Sequence, residues 1–140
     1  MYKVFQPSAF NRYDAPARQK ASSFWVSQGY TCVDHEDEFG VDLVVEKDDV
    51  RFYCEVEVKA VWHGLEFMYE TLHIPARKAK FLNKPTQFMV FNNSLTRAAI
   101  VGRKQLLKSP LVEVPNRKVA FGEKFFDVPK KELFFVPIEI

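Results

Sequence analysis

Apolar residues recur along this chain with two different periods, and the period changes at definable places. Ala17, Ala21, Phe24 and Trp25 fall at helical spacing and make one stripe. Asp14 supplies an N-cap, Pro16 suits a first turn and Gly29 is a natural stop, so the pattern predicts a helix over 15–28. Residues 1–13 read as irregular or as a short strand. A short strand is expected at 30–33, then a polar loop over 35–38. The period drops to two in 39–46 and again in 50–61, with a turn at Lys47-Asp48-Asp49 between them. Two strands so closely linked make an antiparallel hairpin. Residues 62–72 mix polar and aromatic positions and predict no element. Pro75 stands where a first-turn proline would, and Ile74, Phe81 and Leu82 mark the inner face of a helix over 74–83, ended by Asn83-Lys84-Pro85. Residues 87–91 and 98–101 read as strands around a loop at Asn92-Asn93-Ser94. Residues 102–108 read as one or two helical turns, and the rest as hairpins and extended chain.

A hairpin followed by strand, helix and strand gives a mixed sheet flanked by helices, an α/β (α+β) fold. The 140 residues suit one domain, 1–140, with a core over 15–101 and a β-rich tail over 102–140.

The strand periodicity raises a chemical question. In Phe52-Tyr53-Cys54-Glu55-Val56-Glu57-Val58-Lys59-Ala60, one face carries Phe52, Cys54, Val56, Val58 and Ala60. The other carries Tyr53, Glu55, Glu57 and Lys59. The preceding strand sets Asp42 among Val41, Leu43, Val44 and Val45, where an acid needs a partner. A hairpin register that aligns the two polar faces brings Asp42 toward Glu57. Carboxylates that close repel, and a divalent cation neutralises them best. Oxygen donors select magnesium or manganese, and magnesium needs only one or two carboxylates plus a substrate phosphate. A lysine on the same face can orient an attacking water or offset charge on a phosphate. A solvated strand face is the competing account of Glu55, Glu57 and Lys59.

Gly40-Val41-Asp42 in one strand and Glu57-Val58-Lys59 in the next resemble the PD-(D/E)XK nuclease superfamily. That group includes restriction endonucleases and Holliday junction resolvases. The resemblance implies a restriction endonuclease-like αβββαβ core and magnesium- or manganese-dependent hydrolysis of DNA. It implies Asp42 and Glu57 as metal ligands, the backbone carbonyl of Val58 as a third, and Lys59 as the catalytic lysine. Many members place a glutamate in the first helix, whereas this helix offers Asp14, Arg18 and Gln19. Gln19 and Glu55 are therefore accessory candidates. So is Lys78, which interrupts the apolar stripe of the second helix and sits where members often carry a basic residue. By the same analogy a homodimer would supply two active sites.

Arg77, Lys80 and Lys84 share a helix face by their spacing and are candidates for gripping DNA phosphates, as are Arg103 and Lys104; a solvated face explains them equally well. The net charge of +2 permits a nucleic-acid partner without requiring one. Cys32 and Cys54 are expected as reduced thiols, and with His35, His63 and His73 they show no zinc-ligand spacing. No glycine-rich phosphate loop is present. The absence of a long apolar run or an apolar leader predicts a cytoplasmic protein with no membrane partner. The function expected is a DNA endonuclease. Its rival is a catalytically inactive nuclease fold serving as a DNA-binding or regulatory module, and RNA is the alternative substrate.

Overall fold

The computed structural model describes residues 7–34, 42–116 and 119–139. Along the chain run α1 (Pro7–Ser27), β1 (Thr31–Asp34), β2 (Leu43–Lys47), β3 (Val50–Val58), β4 (Thr71–Pro75) and a 3-10 helix (Ala76–Asn83). They are followed by β5 (Thr86–Phe91), β6 (Arg97–Gly102), α2 (Arg103–Lys108), β7 (Leu111–Asn116), β8 (Val119–Pro129), a 3-10 turn (Lys130–Glu132) and β9 (Phe134–Pro137). The larger sheet has six strands in the order β1-β2-β3-β5-β6-β9, and the smaller has three, β4-β8-β7. Every pairing is antiparallel except β3 with β5. A parallel pair needs a long crossover, and the segment between them, carrying β4 and the 3-10 helix, provides it. The mixed α+β architecture expected from the sequence is the one observed.

Two cores lie on opposite faces of the larger sheet. Ala17, Ala21 and Trp25 of α1 pack on Leu43, Val45, Phe52, Cys54, Val56, Met89 and Phe91. On the other face Trp62, Phe67, Leu72, Ile74, Leu106 and Val128 pack on Phe88, Val90, Ala99 and Val101. β5 and β6 are covered on both sides, which is why their sequences read as continuous apolar runs. β3 is different. It gives one face to the α1 core and contributes no residue to the second core. Its other face, with Tyr53, Glu55 and Glu57, lies where that second core stops.

Several expectations shift. The first helix begins at Pro7, so Pro7 takes the first turn and Pro16 lies inside the helix; Pro16 removes one backbone donor without ending it. The expected helix over 74–83 divides into β4 and the 3-10 helix. In Thr71–Pro75 burial alternates, with Leu72 and Ile74 inside. Pro75 closes an edge strand, where its missing N–H is tolerated. The unassigned 62–72 begins as a loop whose Trp62 and Phe67 are buried edge to face, 5.2 Å apart between centroids. The Trp62 Nε1–H donates to the Glu66 carbonyl. β3 ends at Val58 rather than at 61. β9 returns to the edge of the larger sheet beside β6. The polar loop at 35–38 and the first residues of the expected strand at 39–46 lie outside the described residues. Among the described residues, no helix is long and apolar enough to cross a membrane.

Asn92 ties the crossover to the sheet. It is fully buried. Its Nδ2 donates to the Gly64 carbonyl at 2.8 Å and to Thr96 Oγ1 at 2.9 Å. Its Oδ1 accepts from the N–H groups of Thr96 and Arg97, at 2.8 and 3.1 Å. All the hydrogen-bonding capacity of the amide is used. Asn92→Ala would remove four hydrogen bonds to part-buried groups at once, and is expected to cost about 2 kcal/mol of stability. Urea unfolding of the two proteins side by side measures this.

Candidate functional site

The hairpin between β2 and β3 turns on Asp48-Asp49. Asp48 has φ of 52°, a left-handed conformation that aspartate tolerates better than most residues. That turn sets the register, with Lys47 opposite Val50 and Leu43 opposite Cys54. One step further along brings Asp42 across from Glu55. The expected approach of Asp42 to Glu57 is therefore displaced by two residues. Asp42 also lies just before β2 instead of within it, and its Oδ2 accepts the Val56 N–H at 2.8 Å.

Glu55 is 4% exposed. Its Oε1 accepts a hydrogen bond from Lys78 Nζ at 2.5 Å. Its Oε2 is buried with no hydrogen-bond partner. Burial pushes the carboxyl up, the charge of Asp42 adds to this, and the Lys78 ammonium pulls the other way; the result is about 7. Glu57 is less buried, and its Oε1 stands 3.4 Å from the same ammonium. Burial alone would lower Lys78, but Glu55, Glu57 and Asp42 together hold it above its ordinary value. The lysine picked out as an interruption of an apolar stripe thus reaches from the 3-10 helix to both glutamates.

The other expected residues are distributed as follows. Lys59 lies just beyond the end of β3, with its Nζ 4.7 Å from the centre of the Tyr69 ring; burial lowers its pKa. Val58 closes β3 beside Phe91. Gln19 is exposed on α1, and α1 packs on the face of β3 opposite Glu55 and Glu57. Arg77 pairs with Glu123 of β8 at 2.8 Å. Lys84 Nζ lies 5.1 Å from the Tyr53 ring, which Arg51 also approaches at 5.6 Å. The Lys80 side chain lies outside the described residues. Arg103 and Lys104 line an open cleft of about 390 Å³ with Thr86 and Gln87. Cys54 is buried, which raises its thiol pKa, and neither Cys54 nor Cys32 forms a disulfide. The rings of Tyr53 and Tyr69 lie against cations near the two ends of this strand, a placement the sequence reading does not single out. The signal available was the placement of Tyr53 on the acid face.

Among the described residues, no three His, Cys, Asp or Glu side chains gather as a ready metal cage. Magnesium does not require one. Asp42 and Glu55 supply all-oxygen donors, and the unpartnered Oε2 of Glu55 is a buried acceptor that lacks a cation or donor. The residues fit a hard divalent ion.

No protein-family model matches the chain, and no curated protein matches it in sequence. Among solved structures it is similar to Hjc, a Holliday junction resolvase from the archaeal hyperthermophile Archaeoglobus fulgidus. The TM-score is 0.50 at 9% identity, with 83% of each chain covered. At that identity the likeness is one of fold, and it agrees with the mixed sheet flanked by helices described above.

The Glu55 carboxyl makes stability pH-dependent with a definite sign. Its pKa rises from 4.5 to about 7 in the folded state, so between those values the native protein holds a proton that the unfolded chain has released. Its contribution to stability is therefore present below 4.5 and is lost as pH climbs through about 7. Glu55→Gln removes this titration. Its stability relative to wild type is expected to rise across that window, by on the order of 2 kcal/mol. Urea midpoints in metal-free buffer at both ends of the window check it.

Proposed function

We propose that this protein is a metal-dependent endodeoxyribonuclease that hydrolyses phosphodiester bonds at the polar face of β3. The observation that carries the reading is Glu55, a buried glutamate with one unpartnered oxygen, beside Asp42, whose Oδ2 accepts the N–H of the next residue, Val56. The similarity in fold to a Holliday junction resolvase supports it. Asp42 and Glu55 would hold magnesium or manganese, which when bound neutralises the phosphate and makes water a better nucleophile.

The register moves the motif by two residues. With Glu55 as the second acid, the backbone carbonyl that follows it belongs to Val56 rather than Val58. Glu57 then stands in the motif's lysine position, and Lys78 brings the positive charge from the 3-10 helix. Lys78 keeps an ammonium beside both glutamates, where it can offset charge developing on the phosphate. Lys59, just past the strand end, is placed to meet a neighbouring phosphate. Lys84 lies by Tyr53 at the other end of the polar face, and Arg77 on the 3-10 helix, paired with Glu123, is a further cation for the DNA backbone; Lys80 follows it by helical spacing alone.

One observation favours the non-enzymatic rival. Lys78 already neutralises the acids, as it would in a purely structural ion cluster. A cleavage assay separates the two. Supercoiled, linear, single-stranded and branched DNA are incubated with magnesium, manganese or EDTA. Metal-dependent cutting is expected, reduced about a hundredfold or more in Glu55→Ala and in Lys78→Ala and less in Lys59→Ala. Strong loss in Lys59→Ala alone would return the catalytic role to the motif lysine. A folded wild type that cuts none of these DNAs with either metal would sink the nuclease reading.

A further inference from the structure

We propose that the acid-bearing face of β3 binds an unpaired strand of DNA, with bases stacked on Tyr53 at one end and on Tyr69 at the other. The proposal names the substrate form of the site above and rests on that reading for the identity of the strand as DNA.

The geometry starts with the strand. Tyr53, Glu55 and Glu57 alternate onto one face of β3, and Lys59 follows where the strand ends. From Tyr53 to Lys59 is about 20 Å of extended chain. Each end of that line carries a tyrosine ring with a cation beside it. At the first end Arg51 and Lys84 lie over the Tyr53 ring, and at the other Lys59 lies over Tyr69, so an arriving base takes the place of a cation that turns to the adjoining phosphate. Aromatic rings interleaved with cations suit a single strand, because the rings take base faces and the cations take the phosphates between them.

Duplex DNA fits this face poorly for two reasons. Its base faces are hidden in the stack, so the rings would have nothing to receive. It is also stiff, whereas Glu55 is buried and covered by Lys78. Only a flexible strand can bring a phosphate down to it. The crossover loop adds apolar contact on the Tyr69 side, with Leu65 60% and Met68 74% exposed. The Tyr69 hydroxyl donates to the Val61 carbonyl at 3.2 Å, which fixes the ring to the loop. Arg51 is shared with Glu46 at 3.6 Å, so Lys84 is the stronger phosphate partner at the Tyr53 end.

The test is binding, in EDTA so that no DNA is cut. Fluorescence anisotropy compares a labelled single-stranded oligonucleotide with the duplex of the same length at one ionic strength. The single strand is expected to bind more tightly. Tyr69→Ala and Tyr53→Leu are each expected to weaken that binding about fivefold or more, while Tyr69→Phe and Tyr53→Phe retain it. Melting curves confirm that each variant is folded; Tyr69, the more exposed ring, gives the decisive comparison. Equal binding of duplex and single strand, loss of the tyrosine effect in folded variants, or no DNA binding would each overturn the proposal. Cleavage of duplexes by a protein that fails this test would keep the nuclease and remove the track. Single-strand binding with no cutting of any DNA would keep the track and remove the nuclease.

Discussion

A carboxylate taken out of water must be given back something that hydration supplied. Glu55 is the residue at which this protein meets that demand, and the surroundings of β3 follow from it. One oxygen is met by the Lys78 ammonium and the other by nothing. Buried ion pairs rarely repay their desolvation, and apolar residues of similar volume are often as good or better. A fold seeking only stability would extend the second core across β3, as it does across β5 and β6. Here the core stops one strand short, and the vacant face is filled by acids and a lysine. That arrangement has a stability cost, which the proposed metal site would account for.

The topology explains how the acids come to be both buried and reachable. β3 and β5 run parallel, so the chain must leave the end of β3, cross one face and return. The crossover is the segment that lays the 3-10 helix over the acids. Arg77 ties that helix to β8, and Asn92 ties the start of the crossover to the β5–β6 turn. Lys78 is thus held between two anchored ends. Runs of 3-10 structure longer than a turn are uncommon and less well hydrogen-bonded than α-helix. An eight-residue run over this face sets Lys78 by its anchors more than by its own helical stability.

How much of this could be read beforehand depended on whether the signal was local. Thr86–Phe91 and Arg97–Gly102 were legible because burial on both faces writes an unbroken apolar run. The β2–β3 hairpin was legible from its turn, but its register was not. Whether Asp42 meets Glu55 or Glu57 is decided by the backbone angles at Asp48, and the two glutamates are indistinguishable by face. Ile74 and Pro75 read as a helix start, and Thr71 and Leu72 as no element, because the strand partner of β4, β8, is distant in sequence and leaves no local signal. The tail reads as hairpins and extended chain, in keeping with β9, but the pairing of β9 with the distant β6 leaves no local signal. Lys78 was recoverable from the sequence because a charged residue inside an apolar stripe demands a partner, even though the stripe belongs to a strand and a 3-10 helix.

The charge at this face gives the last step of the synthesis. The chain as a whole is nearly neutral, with twenty basic and eighteen acidic residues, so bulk charge says little about its partner. Locally, Asp42, Glu55 and Glu57 would repel a phosphate backbone. Lys78 cancels part of that charge, and the raised pKa of Glu55 cancels more when its proton is retained. A divalent ion at Asp42 and Glu55 would complete the cancellation and tighten the hold of this face on a polyanion, with Lys59 and Lys84 already at its two ends. On this account metal and nucleic acid are coupled through electrostatics alone: each neutralises what opposes the other, and no movement of the fold is needed to link them.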